Sequence, residues 1–171
     1  SQELYENSLI LKKPHGSATL SIHDGTKWKK TIDLHHRSTF LLAGFALENV
    51  IKAFLIYENP HWIANGKLSK ELTRGHSLMK LASKSNLLPW PRKGYKTLEL
   101  IESGLNSWAR YPCPKDYRFV KSELFFSASL WQNYQDLIDR YFKELKKILG
   151  KSWKGPHEFY GFYEITGYLI K

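Results

Sequence analysis

The longest apolar segment of the chain predicts a helix that is surrounded by other elements. Residues 39–56 read TFLLAGFALENVIKAFLI, and they are apolar on nearly every helical face until Glu48 and Lys52. A helix that is apolar all round is normally buried among other helices. A membrane span needs roughly 20 largely apolar residues, and the two charges interrupt this run. We therefore predict a core helix and no membrane association.

The polar positions of this segment fall on one side of the predicted helix. Glu48 and Lys52 are four residues apart, with the glutamate first, which is the favourable order for a helical ion pair. Arg37 precedes Glu48 by eleven residues, close to three turns, so it falls on nearly the same side. Gly44 lies between them and predicts close approach by another helix. The stripe is either a structural ion pair that orients the helix or part of a site.

Five more segments carry a helical pattern. The regions are an amphipathic stretch at 2–13, short stretches at 68–72 and 78–86, an amphipathic stretch at 95–108, and a seam in steps of three and four at 119–149. Prolines stop the pattern at Pro14, Pro60 and Pro112. The seam is long enough to form one wall of a helical bundle.

Two segments do not follow the helical pattern. Residues 17–32 fit either a hairpin around Asp24-Gly25 or a helix that begins near Thr26, and we favour the helix because Thr26 can cap it. Residues 157–170 hold five aromatic residues with two glycines between them, which predicts one or two short strands or an extended wrap. This tail is expected to pack on its own domain, with residues 20–22 as a candidate strand partner.

The pattern as a whole predicts an all-α bundle with a short, aromatic, extended C-terminal tail. At 171 residues and 42% hydrophobic composition the chain fits one domain, with the bundle at 1–149 (core 27–149) and the tail at 150–171. The one cysteine, Cys113, excludes an internal disulfide framework and a cysteine-built zinc site. No signal peptide is visible, so we expect a cytoplasmic protein.

The charge of the chain changes the functional expectation. The formal net charge is +10, from 26 Lys and Arg against 16 Asp and Glu. Such an excess favours an anionic partner, with nucleic acid as the first candidate. The lysines are spread along the chain, so each local cluster is also explained as a solvated face.

Two clusters are candidates for contact with an anion. Arg74 and His76 flank Gly75 at a predicted helix start, where backbone N–H groups favour anions. Trp108, Arg110 and Tyr111 combine a cation with stacking surfaces, as single-stranded nucleic-acid sites do. The alternatives are a helix cap formed by His76 and Ser77, and a helix terminator at 108–112. No metal-ligand spacing or cofactor motif is present, so we expect neither a metal nor a cofactor.

The order of these segments resembles the HEPN-like helical domains. The resemblance is carried by LAGFALENVIKAFLI at 42–56, then GHSLMKLA at 75–82, then a helix that ends in WARYP at 108–112. In that family a helix with Ala-x-x-Leu-Glu-x-x-x-Lys-Ala is followed by a Gly-His-x-Leu helix. The resemblance covers 27–149 and implies an up-and-down bundle of four to five helices, often dimeric, found in toxin–antitoxin, antiphage or RNA-processing systems.

The chain departs from that family at its ribonuclease motif. Active members are metal-independent ribonucleases that carry an Arg, four to six residues, then a His. Here no arginine is followed by a histidine at that spacing, and Glu123 stands five residues after Arg118. We therefore expect a non-catalytic module that binds RNA or another anionic partner. The alternatives are a ribonuclease with a non-standard site around His76, using Arg37, Arg74 and Arg110, and a protein-interaction subunit that dimerises or docks a partner.

Overall fold

The computed structural model of the chain describes residues 2–12, 17–23, 27–33, 36–107, 109–110 and 127–164. For residues 12, 17–23, 27–33 and 92 it describes the backbone alone. Within these ranges the protein is mostly helical, as the sequence predicts.

Six α-helices and six strands make up the described part of the chain. In order they are α1 (Gln2–Lys12), β1 (Ser17–His23), β2 (Lys27–Asp33), α2 (His36–Glu58), β3 (Ile63–Ala64), β4 (Lys67–Leu68), α3 (Lys70–Thr73), α4 (Leu78–Ala82), α5 (Arg92–Leu105), α6 (Ala128–Leu149), β5 (Trp153–Lys154) and β6 (Tyr160–Gly161). Single 3-10 turns lie at Pro60–Trp62 and Pro156–Glu158.

Helix α2 forms the centre of the fold. It packs against α1, α4, α5 and α6. Its buried residues include Phe40, Leu47, Ile51 and Phe54, while the side that carries Asn49 and Lys52 remains partly exposed. Of the described helices, α2 alone has the length and apolar composition of a membrane span. A core helix passes the same test, and the helices around α2 give it the surroundings of a core helix.

The segment before α2 corrects one expectation from the sequence. The preferred helix from Thr26 is wrong, because β1 and β2 form an antiparallel hairpin whose register runs from Ser17↔Asp33 to His23↔Lys27. Here the alternation of apolar residues and the Asp24-Gly25 turn signal outweighed the helical spacing of residues 28–39. Helix α2 starts only at His36.

The last helix is shorter than the sequence pattern predicts. Helix α6 begins at Ala128, and Ser127 caps it in an extended conformation, with its Oγ accepting the Leu130 N–H at 3.1 Å. A serine at this position satisfies one of the unpaired amides of the first turn. The predicted seam is confirmed from there on, with Tyr134, Ile138 and Tyr141 buried. Its first part, residues 119–126, lies outside the described residues.

Helix α1 lies against the seam of α6. The ring of Tyr5 is 6.1 Å from those of Tyr134 and Phe142, and the buried Ser8 hydroxyl donates to the Tyr5 carbonyl at 2.6 Å. Burial raises the pKa of Asp139, a residue of α6 whose carboxyl interacts with Tyr5. The first helix therefore closes the core over α6.

The tail forms its own two-stranded sheet. Trp153 pairs with Gly161 and Lys154 with Tyr160 in antiparallel register. Among the described residues, β6 therefore pairs within the tail, and the alternative pairing with residues 20–22 is not found. The tail contacts α2 through the rings of Trp153 and Tyr57, which are stacked 4.9 Å apart.

Gly44 confirms the predicted close approach of another helix. A Cβ at this position would lie 2.6 Å from the Cγ and Cδ2 atoms of Leu105, on α5. Both residues are buried, so the leucine has little room to move. The contact sets the spacing between α2 and α5.

We expect Gly44→Ala to destabilise the protein by about 1–3 kcal/mol, because the added methyl overpacks the contact with Leu105. The loss should outweigh the helix-propensity gain of about 1 kcal/mol. Urea unfolding measures both this variant and the Gly44→Ala/Leu105→Ala double variant. The double variant should lose less than the sum of the two single losses, because the shortened side chain leaves room for the methyl. A Gly44→Ala protein at least as stable as the parent would contradict this assignment.

Candidate functional site

A buried carboxylate on α2 joins two of the predicted residues. Glu48 is 3% exposed, and its Oε1 accepts a hydrogen bond from Lys52 Nζ at 2.5 Å. Its Oε2 lies 2.8 Å from Nδ1 of His76. The predicted ion pair is therefore confirmed, and the same carboxylate also holds the histidine.

The double pairing explains how a carboxylate is accommodated inside the core. An unpaired buried charge is strongly destabilising, and pairing with additional hydrogen bonds offsets the loss of water. Each oxygen of Glu48 has a partner, and both partners are partly exposed, so their outer parts remain in contact with solvent. Through this contact His76, which lies in the loop before α4, is held against α2.

The contact with Glu48 determines which nitrogen of His76 is available. A carboxylate only accepts hydrogen bonds, so Nδ1 carries the proton that is shared with Glu48. In the neutral ring Nε2 is then an acceptor. Nε2 has no hydrogen-bond partner among the described residues, and the side chain is 34% exposed. His76 is therefore an oriented imidazole with one nitrogen open to a ligand proton.

An aromatic ring links His76 to a second predicted residue. The ring of Phe45 lies 6.1 Å from the His76 ring, and the guanidinium carbon of Arg110 lies 5.5 Å from the centre of the Phe45 ring. The distance of Arg110 is within the range of a cation–π contact. We call Phe45, Glu48, Lys52, His76 and Arg110 the Glu48 cluster.

The start of α4 is already occupied by groups of the protein itself. Ser77 caps the helix, since its Oγ accepts the Lys80 N–H at 3.3 Å. Glu102 of α5 accepts from the Ser77 hydroxyl at 3.0 Å and from the Met79 N–H at 2.8 Å. The predicted capping role of Ser77 is confirmed. The N–H groups of Met79 and Lys80 are thus bonded to Glu102 and Ser77, which agrees with the capping alternative for this helix start.

The remaining predicted residues lie apart from the cluster or outside the described chain. Arg37 is exposed on the first turn of α2, roughly 16 Å from Glu48 along the helix axis. Arg74 is exposed just after α3, where its charge acts on Glu71. Trp108 and Tyr111 are outside the described residues. Of the candidates, the structure brings together Lys52, His76 and Arg110.

Two residues of this region were not found from the sequence. Phe45 lies three residues before Glu48, on a neighbouring face of α2, and its apolar side chain gave it the appearance of a core residue. Glu102 is one of two acidic residues of the amphipathic helix α5, and nothing in its spacing distinguishes it from Glu99. The spacing of Phe45 from Glu48 is a usable signal only after Glu48 is known to be a site residue.

A cavity lies near the cluster, but a metal site does not occur among the described residues. No group of three or more metal-ligating side chains occurs within the described ranges. A cavity of about 600 Å³ lies between α4 and α5, lined by Met79, Tyr95, Glu99, Glu102, Ser103, Asn106 and Ser107. Glu102 lines this cavity and also bonds the start of α4, at Ser77, the residue that follows His76.

Comparison of the chain with models of protein families, with curated proteins and with solved structures found no match.

We expect Glu48→Gln to destabilise the protein by about 1–3 kcal/mol, because the amide replaces one acceptor with a donor that faces Lys52 or His76. Glu71→Gln is the matched control, since Glu71 forms an ion pair with Lys84 on the surface. The control should have almost no effect, as exposed ion pairs contribute little. Urea unfolding measures both variants. Equal effects of the two substitutions would contradict the structural role of Glu48.

Proposed function

We propose that this protein is a HEPN-like helical module that binds single-stranded RNA, with the Glu48 cluster as part of its binding surface. The observation that carries the proposal is the position of Arg110 over Phe45, next to the oriented His76. Sites for single-stranded nucleic acid combine cations with aromatic surfaces in this way. The net charge of +10 supports an anionic ligand.

Four members of the cluster have a defined task in this proposal. Arg110 binds a phosphate oxygen, because a guanidinium presents paired donors that match phosphate. His76 hydrogen-bonds a ribose hydroxyl or a base through Nε2. Glu48 holds His76 in place. Lys52 neutralises the charge of the Glu48 carboxylate, so that this group does not repel the anionic ligand. The proposed module is cytoplasmic and, as in the family it resembles, belongs to a toxin–antitoxin, antiviral or RNA-processing system, either as a homodimer or with a protein partner.

The test of this proposal is binding of a fluorescent RNA oligomer at several salt concentrations. Arg110→Ala should weaken binding and lower the slope of log K against log[salt] by roughly 0.7, the value for one phosphate contact on a single strand. Arg140→Ala is the matched control, because Arg140 is an exposed arginine of α6 with no contact to the cluster. Binding that does not depend on salt, or that Arg140→Ala weakens as much as Arg110→Ala, would refute the assignment.

A second candidate function, ribonuclease activity, is favoured by the hydrogen bond between Glu48 and His76. A histidine whose Nδ1 is held by a carboxylate is suited to act as a general base through Nε2. In this reaction Nε2 takes the proton of a ribose 2′-hydroxyl, and the hydroxyl oxygen attacks the neighbouring phosphorus. The bond to the 5′-oxygen breaks, and that oxygen takes a proton from water. Arg110 stabilises the charge on the phosphate.

This second function predicts cleavage of single-stranded RNA in the presence of EDTA. His76→Ala should reduce the rate by about 10²–10⁴-fold, the usual contribution of a general base. His61→Ala is the control, since His61 is exposed in the turn after α2. Circular dichroism verifies that both variants are folded. If the wild-type protein binds RNA without cleaving it, the nuclease function is excluded and the binding function stands.

A further inference from the structure

The C-terminal tail exposes a group of aromatic side chains that the Glu48 cluster does not use. Phe159, Tyr160, Phe162 and Tyr163 are 40%, 77%, 59% and 49% exposed. Four large exposed rings within five residues differ from the scattered exposed apolar residues found elsewhere on a monomer. We call these four residues the tail platform.

The platform is held on the bundle by contacts at its base. Trp153 is half-buried, stacks on Tyr57 of α2, and meets the Phe159 ring edge-on at 6.3 Å. The Gly155 N–H donates to the Phe159 carbonyl at 2.7 Å, and the Tyr163 N–H to the Leu149 carbonyl at 2.9 Å. The first bond closes the loop between the strands, and the second ties the segment after β6 to the last residue of α6.

Two residues of this loop adopt a backbone conformation that carries a steric cost. His157 and Glu158 have φ angles of 54° and 62°, in the left-handed region that side-chain-bearing residues rarely adopt. Such conformations persist only where the surrounding contacts fix them, and they concentrate at binding sites. The rings of Phe159 and Tyr163 stack on each other at 5.5 Å with an angle of 23°.

Exposed lysines lie on the segments next to the platform in the chain. Lys146, Lys147, Lys151 and Lys154 are exposed, against the exposed acids Glu158 and Glu164 in the same region. Lys146 and Lys147 lie in the last turn of α6 and also complement its negative end. Lys151 and Lys154 lie beyond the helix, so the helix dipole does not explain them. The Tyr163–Leu149 hydrogen bond places the platform beside the end of α6.

We propose that the tail platform is a second binding surface for single-stranded nucleic acid, on which bases stack on the exposed rings while the lysines contact phosphates. Aromatic rings with neighbouring cations give this kind of sequence-tolerant binding. A protein partner fits less well, because the cores of protein interfaces are depleted of lysine. A second copy of the chain would bring another net charge of +10 to the same surface. The ligand class is that of the proposed function, but the surface and the residues are independent of the Glu48 cluster.

The experiment measures binding of a labelled U oligomer of about 12 nucleotides to the full chain by fluorescence anisotropy. Tyr160→Ala and Phe162→Ala should each weaken binding about five- to hundredfold, as loss of one stacked base does. Tyr160→Phe should bind like the parent, because it keeps the ring. Tyr95→Ala is the matched control, since Tyr95 is an exposed aromatic residue of α5 away from the tail. Lys154→Gln should lower the salt slope by roughly 0.7.

The outcomes separate this inference from the proposed function. Tail variants that bind like the parent, while Arg110→Ala binds more weakly, overturn the tail platform and leave the Glu48 cluster as the RNA site. Weakened tail variants with an unaffected Arg110→Ala support the platform and refute the cluster. Tail variants that keep RNA binding but no longer dimerise in light scattering, or no longer bind anionic vesicles, would also overturn the platform as a nucleic-acid surface. A parent protein that binds no oligomer refutes both.

Discussion

The pairing of Glu48 is the constraint on which the candidate site depends. Helix α2 is buried among four other helices, so any charge on its inner faces must find a partner within the protein. Lys52 supplies one partner from the next turn of the same helix, and His76 supplies the other from the loop before α4. The requirement for core stability therefore also fixes the tautomer and position of a histidine.

The same region shows how a stabilising network and a potential binding surface share residues. Glu102 caps α4 from α5, and this holds the segment that carries His76 and Ser77. Phe45 contacts the ring of His76 and also lies beneath the guanidinium of Arg110. A ligand that approached Arg110 and His76 would therefore meet groups already held by the fold, with little ordering of side chains left to do.

The two candidate surfaces differ in how they expose their chemistry. In the Glu48 cluster the charged and aromatic groups are partly buried, and their mutual contacts restrict them. In the tail the rings are exposed, and they lie on a short sheet whose loop holds two residues with left-handed backbone. Gly155 and Gly161 allow the backbone of the tail to pack closely against its own rings, since a Cβ on either would come within 3.0 Å of Trp153 or Phe159.

The sequence by itself determined the local features of this protein. The burial of α2, the ion pair of Glu48 and Lys52, the close approach at Gly44 and the cap at Ser77 follow from spacing within one segment, where geometry is fixed by the helix. The sequence did not decide between hairpin and helix at 17–32, because both patterns fit, and the preference for the helix was wrong. Pairing between the two strands decides in favour of the hairpin. The partnership of Glu48 with His76, 28 residues away, and of Phe45 with Arg110 was decided only by the tertiary structure. Helix packing sets such distances, and no local spacing encodes them.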